Sequence, residues 1–134
     1  RPPLNWFGEL SAQADAGGSA GIDLKMSGSV PFVDGARILA LACGVTATNT
    51  VERVEIAGPK RGVPSDEIRA WVDAFEFVQM LRLRTQHRRG SDGGAIGSAN
   101  IVPLADLSDL DRRILKEALR QVRKLQQRLE IDYP

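Results

Sequence analysis

The sequence predicts an all-α fold, an antiparallel bundle of four to five helices. Three observations carry this. Ile114, Leu115, Ala118, Leu119, Val122, Leu125 and Leu129 recur at helical spacing over residues 109–131. Residues 65–89 form a second long helical pattern, with Ile68, Trp71, Phe75 and Val78 on one face and Phe77, Met80 and Leu83 elsewhere. A helix apolar almost all round belongs at the centre of a bundle. The connections are short and hold little strand signal.

In chain order, Pro2-Pro3 is an extended lead-in, and Leu4 to Ala14 suits a short helix with Trp6, Phe7 and Leu10 on one side. Ala16 to Gly21 has turn chemistry. Ile22, Leu24 and Met26 alternate with polar residues, so residues 22–26 are expected to be extended. Pro31 fits the first turn of a helix over 31–43, stopped by Gly44. Asn49, with Glu52 three residues on, fits an N-cap for a helix over 50–57 that ends at Gly58-Pro59. The alternation over 51–56 would also suit a strand. Ser65 is expected to cap the 65–89 helix, with Asp66 and Glu67 at its positive end. Residues 90–99 read as a Gly/Ser-rich loop, and Ser108 caps the last helix, with Asp111 in the capping-box position.

The composition bounds the function. The 134 residues suit one domain, and a hydrophobic share of 43% excludes a disordered chain. Eighteen basic residues against 17 acidic ones argue against a general nucleic-acid binder. No apolar stretch approaches the ~20 residues that span a bilayer. The lone Cys43 sits in an apolar run and reads as a small core residue. That usage and the lack of a leader pattern fit a cytoplasmic setting. The chain begins with Arg1 rather than Met, so residues 1–134 are expected to be a single helical domain excised from the C-terminal end of a longer protein.

Polar residues on apolar faces are the informative ones. Arg82 falls in the middle of the Trp71/Phe75/Val78 face, with Gln79 and Gln86 beside it. A buried guanidinium must be paired or face a cleft. On the 31–43 helix, Asp34 and Arg37 share one side. One reading is an internal ion-pair network joining the two helices. The other is a polar cleft lined by Asp34, Arg37, Arg82 and Gln86 that receives an anionic or polar ligand. In the last helix Arg112, Arg113, Lys116, Arg120, Arg123, Lys124 and Arg128 lie opposite the apolar stripe. That face is either simply solvated or docks an acidic partner.

No catalytic or metal-binding residue is assigned. Gly97-Ser98 followed by Asp109-Leu110-Asp111 fits a loose nucleotidyltransferase pattern. However, Asp109 and Asp111 fall in the first turn of a periodic helix and read as capping chemistry. There is no P-loop. Cys43 and the lone His87 cannot build a zinc site, and His87 reads as a surface residue.

An ordered series runs through Asp23-Leu24-Lys25, Gly28, Pro31, Val33-Asp34, Ala36-Arg37, Ala40-Leu41 and Gly44. It continues with Asn49-Thr50, Arg53, Ala74-Phe75, Phe77, Leu81-Arg82-Leu83, Gln86 and Asn100. It closes with Arg113, Leu115-Lys116, Ala118, Val122 and Leu125-Gln126. Over about residues 4–131 this series resembles the putative nucleotidyltransferase substrate-binding domain family. The resemblance implies a helical substrate-binding domain that follows a nucleotidyltransferase domain in bacterial signalling proteins, with cyclic-nucleotide-binding and CBS modules often preceding both. It adds Lys25 and Arg53 to Asp34, Arg37, Arg82 and Gln86 as substrate-binding candidates, and it also matches Asn100. No cofactor is expected in this domain. Mg²⁺ and a nucleoside triphosphate would belong to the parent protein. The rival expectation is an interaction module that contacts regulatory domains or forms a homodimer.

Overall fold

The computed structural model describes residues 21–91 and 100–132. The expected 4–14 helix, the turn before Gly21 and most of the glycine loop lie outside them. The described chain is an all-α bundle with one two-stranded sheet. Strand β1 (Gly21–Asp23) pairs antiparallel with β2 (Ile101–Pro103), Ile22 lying opposite Val102. The helices are α1 (Val30–Ala42), α2 (Thr50–Lys60), α3 (Ser65–Ser91) and α4 (Asp109–Asp132). The bounds expected for α1, α3 and α4 differ from these by no more than two residues. Arg84, late in α3, pairs with Asp111, early in α4, while Ala70 and Ala74 earlier in α3 line one groove with Ala118 and Gln121 further along α4, so the two long helices run antiparallel.

The alternation over 22–26 produces only a three-residue strand. Asp23 Oδ1 accepts the backbone N–H groups of Lys25 and Met26 at 3.1 and 3.0 Å, turning the chain away from the ladder. A π-helical turn, Lys25–Ser29, follows and runs straight into α1. Leu24 is still fully buried, whereas Met26 is 62% exposed.

Two caps form as the sequence predicts. Asn49 Oδ1 accepts the Glu52 N–H at 3.1 Å, and Ser108 Oγ accepts the Asp111 N–H at 3.0 Å. Gly44, at φ +70°, closes α1. Ser65 is a correction. It lies inside α3, and the Pro64 carbonyl accepts the N–H groups of Glu67 and Ile68.

The end of α2 is a second correction. The segment is helical, not a strand, and it passes through Gly58-Pro59 to Lys60. Pro59 lies in the last turn and supplies no N–H, which costs one intrahelical bond, to the carbonyl of the exposed Glu55. Gly58 permits close approach, since a Cβ there would lie 2.7 Å from Ile68 Cδ1 and would force the end of that side chain to shift. The left-handed residue after this helix is Gly62, at φ +76°.

The core has two adjoining parts. One joins all four helices around Phe32, Leu39, Val54, Trp71, Phe75 and Leu125, with Phe32 stacked on Phe75 at 4.6 Å. The other packs the sheet onto α3 and α4 through Ile22, Leu24, Val78, Leu81, Val102 and Leu119. Each large apolar side chain so buried contributes about 1.5–3 kcal/mol. Cys43 is half-buried at the edge of the first part. Among the described residues no helix is long and apolar enough to cross a membrane.

Candidate functional site: a polar cluster around Arg82

The second core part holds the π-helical turn against α3, with Gly28 close to Val78 and Leu119. This seats the buried Ser29 beside Gln79, one residue after Val78. Strand β2 brings in Asn100, whose backbone carbonyl accepts the Leu24 N–H at 2.9 Å. Three separate parts of the chain therefore meet at the polar strip of α3.

Arg82 is at the centre of the strip. Its Nε donates to Asn100 Oδ1 at 3.0 Å and its Nη1 to Gln79 Oε1 at 3.1 Å. Gln86 Nε2 donates to the same Asn100 oxygen at 3.1 Å, and Ser29 Oγ donates to the same Gln79 oxygen at 2.6 Å. Arginine only donates, so the amides must turn their oxygens towards it. Arg82, Gln79, Gln86 and Asn100 are all half-buried. The ion pairs among the described residues involve other groups, so the side-chain partners of Arg82 there are amide oxygens.

The other sequence candidates sit elsewhere in the bonding pattern. Asp34 and Arg37 pair with each other at 3.0 Å, with side chains 51% and 56% exposed. Among the described residues no hydrogen bond or ion pair connects them to Arg82 or Gln86. The expected inter-helix ion-pair network is thus replaced by a surface pair on α1 and an amide-bonded arginine on α3. Arg53 Nε donates to the Ala47 carbonyl at 2.8 Å, fastening α2 to the connection before it. Lys25 is exposed at the start of the π-helical turn.

Ser29 was not singled out by sequence reasoning. A serine at a predicted loop–helix junction has no periodicity to mark it. Asn100 was matched only by resemblance, yet it is the acceptor for two side chains.

The rest of the polar surface is partly self-satisfied. Arg120 makes two bonds to Glu117, at 2.7 and 2.8 Å, and Gln121 Nε2 donates to the same carboxylate. These bonds from Arg120 and Gln121 lower the Glu117 pKa to about 2. Arg128 donates to the Arg61 carbonyl, and Arg112 to that of Leu104. Asp109 and Asp111 sit in the first turn of α4, where the capping reading puts them, and the Asp111 carboxylate is taken up by Arg84 across to α3. Among the described residues no three histidine, cysteine or carboxylate side chains gather as a metal cage.

The all-α bundle thus holds a half-buried cation, bonded to amide oxygens, between a long helix, a helical turn and a strand end. A family model described as "Putative nucleotidyltransferase substrate binding domain" matches residues 1–133, and the chain belongs to that family. No curated protein and no solved structure matches it.

Proposed function

We propose that this domain is the non-catalytic substrate-positioning arm of a multidomain nucleotidyltransferase-type signalling protein. In this reading it works beside a catalytic nucleotidyltransferase domain that holds the Mg²⁺ and the nucleoside triphosphate. The observation that carries the reading is Arg82, a half-buried cation bonded to amide oxygens. Holding a reactant in a fixed orientation lowers the barrier by removing its freedom before the chemical step. Lys25 and Gln86 would border the bound substrate from the π-helical turn and the next turn of α3. Asp34, Arg37 and Arg53 are family-matched candidates with a more peripheral part.

Nucleotidyl transfer by the intact protein tests this. Arg82→Ala should raise KM for one substrate at least tenfold, with folding checked separately. Unchanged KM and kcat in a folded variant would remove the reading's main support.

A second reading, an interaction module, has its own observation. A largely apolar groove of about 370 Å³ lies between α3 and α4, lined by Ala70, Ala74, Phe77, Ile114 and Ala118 and bordered by Arg113 of the basic face. Regulatory modules or a second copy of the chain would be the partners. Charge reversal at Arg113 and Lys116 should then lower the assembled mass in light scattering and leave transfer kinetics unchanged.

A further inference from the structure

The hydrogen bonds around Arg82 have a direction. Gln79 Oε1 accepts from Ser29 and Arg82, and Asn100 Oδ1 accepts from Arg82 and Gln86. An amide oxygen has two lone pairs, so both are fully used inside the cluster. The donors are not. Of the five guanidinium N–H groups, two are engaged among the described residues, which leaves three. The Nδ2 of Asn100 and the Nε2 of Gln79 add two N–H groups each. None of these nitrogens is among the sealed polar atoms lacking a partner, a set that consists of Trp71 Nε1 and Gln121 Oε1 among the described residues. The unused hydrogen-bonding capacity of the cluster is therefore mostly N–H together with a positive charge, with Gln86 Oε1 as its remaining side-chain amide acceptor.

The choice of amides is itself informative. Glutamate at 79 or aspartate at 100 would accept the same bonds from Arg82 and also neutralise it. Hydrogen bonds between ionised partners are roughly twice as strong as neutral ones. A purely structural clasp would be better built with a carboxylate. Amides hold the guanidinium in place while keeping its charge available.

We infer that the Arg82–Gln79–Asn100 cluster is an oxyanion site, which receives a phosphate or carboxylate group through the unused N–H groups of Arg82, Asn100 and Gln79. This rests on the reading of the cluster as a substrate contact and names the chemistry of the group contacted.

The test uses this chain, with inorganic phosphate and acetate titrated separately at constant ionic strength against a chloride control. The variants are Asn100→Asp and Gln79→Glu. Each keeps the acceptor for Arg82, replaces an unused N–H₂ with a carboxylate oxygen and cancels the charge. At ten times its Kd, the bound anion should raise the wild-type Tm by about 4–7 °C. Both variants should fold with an anion-free Tm at or above that of wild type and bind the anion at least tenfold more weakly. Stabilisation by phosphate or by acetate supports the inference and says which group is preferred. No effect of either beyond chloride overturns it, as does wild-type affinity in both variants. Because no transfer chemistry is needed, the two claims fail separately. Oxyanion binding with transfer indifferent to Arg82 removes only the functional reading. Absent oxyanion binding with transfer sensitive to Arg82 removes only this inference.

Discussion

Replacing Asn100 by alanine probes how firmly the cluster is built. The change removes one oxygen that accepts from Arg82 Nε at 3.0 Å and from Gln86 Nε2 at 3.1 Å. It leaves the Asn100 backbone carbonyl free to keep accepting the Leu24 N–H, so the strand pairing is not the target. A hydrogen bond to a charged group contributes about 1.5–3 kcal/mol and a neutral one about 0.5–1.5 kcal/mol. Both donors are half-buried and regain some water, so the net loss should be about 2 kcal/mol. For a chain of this size that corresponds to a Tm lower by about 6–10 °C. Urea unfolding followed by circular dichroism reads the loss directly. A double-mutant cycle with Arg82→Ala should give a coupling above about 1 kcal/mol. A loss under about 0.5 kcal/mol, or additive single effects, would show that the cluster is a loose surface arrangement.

Further outcomes follow from the same geometry. Gly58→Ala should destabilise the chain by up to about 2 kcal/mol, overpacking on Ile68 less the roughly 1 kcal/mol that alanine gains over glycine in a helix, and Ile68→Val should recover part of that, both read by urea titration. Ser108→Ala should cost about 1 kcal/mol by removing the cap on α4, with an unchanged m-value. Glu117 has a folded pKa depressed to about 2. Its contribution is therefore fully present above the ordinary carboxylate range and fades as pH falls through that range towards 2. Both partners are more than half exposed, so the contribution is small. Carboxyl NMR titration should find Glu117 at about 2, moving back towards 4.5 in Arg120→Ala.

The long helices were legible because their burial is one-sided and repeats with the helical period. Leu115, Leu119, Val122 and Leu125 are each no more than 1% exposed. Ile114 belongs to the same apolar pattern but lies on the groove and is 39% exposed, since periodicity names a stripe and not what covers its edge. The caps at Asn49 and Ser108 were legible because side chain and target N–H are close in sequence. Gly58-Pro59 was not. A glycine that ends a helix and one that lets two helices touch look alike until the facing Ile68 is known. The alternation at 22–26 was likewise overruled by a local competitor, the Asp23 carboxylate.

The candidate site divides along the same line. Arg82, Gln79 and Gln86 stand out in the sequence because they interrupt an apolar face. What bonds to them does not, because Ser29 and Asn100 arrive from distant parts of the chain. One sequence reading joins Asp34 and Arg37 to Arg82 in an ion-pair network between two helices. Their i, i+3 spacing instead lets them satisfy each other on the surface of α1.

The most direct test of the central claim is side-chain NMR of the chain during a phosphate titration, following the Arg82 Nε–H and the amide N–H₂ groups of Asn100 and Gln79. The account predicts that these resonances shift together and saturate with one Kd. Shifts confined to Arg113, Lys116 and Arg120 on the basic face of α4, with the Arg82 cluster unmoved, would contradict it.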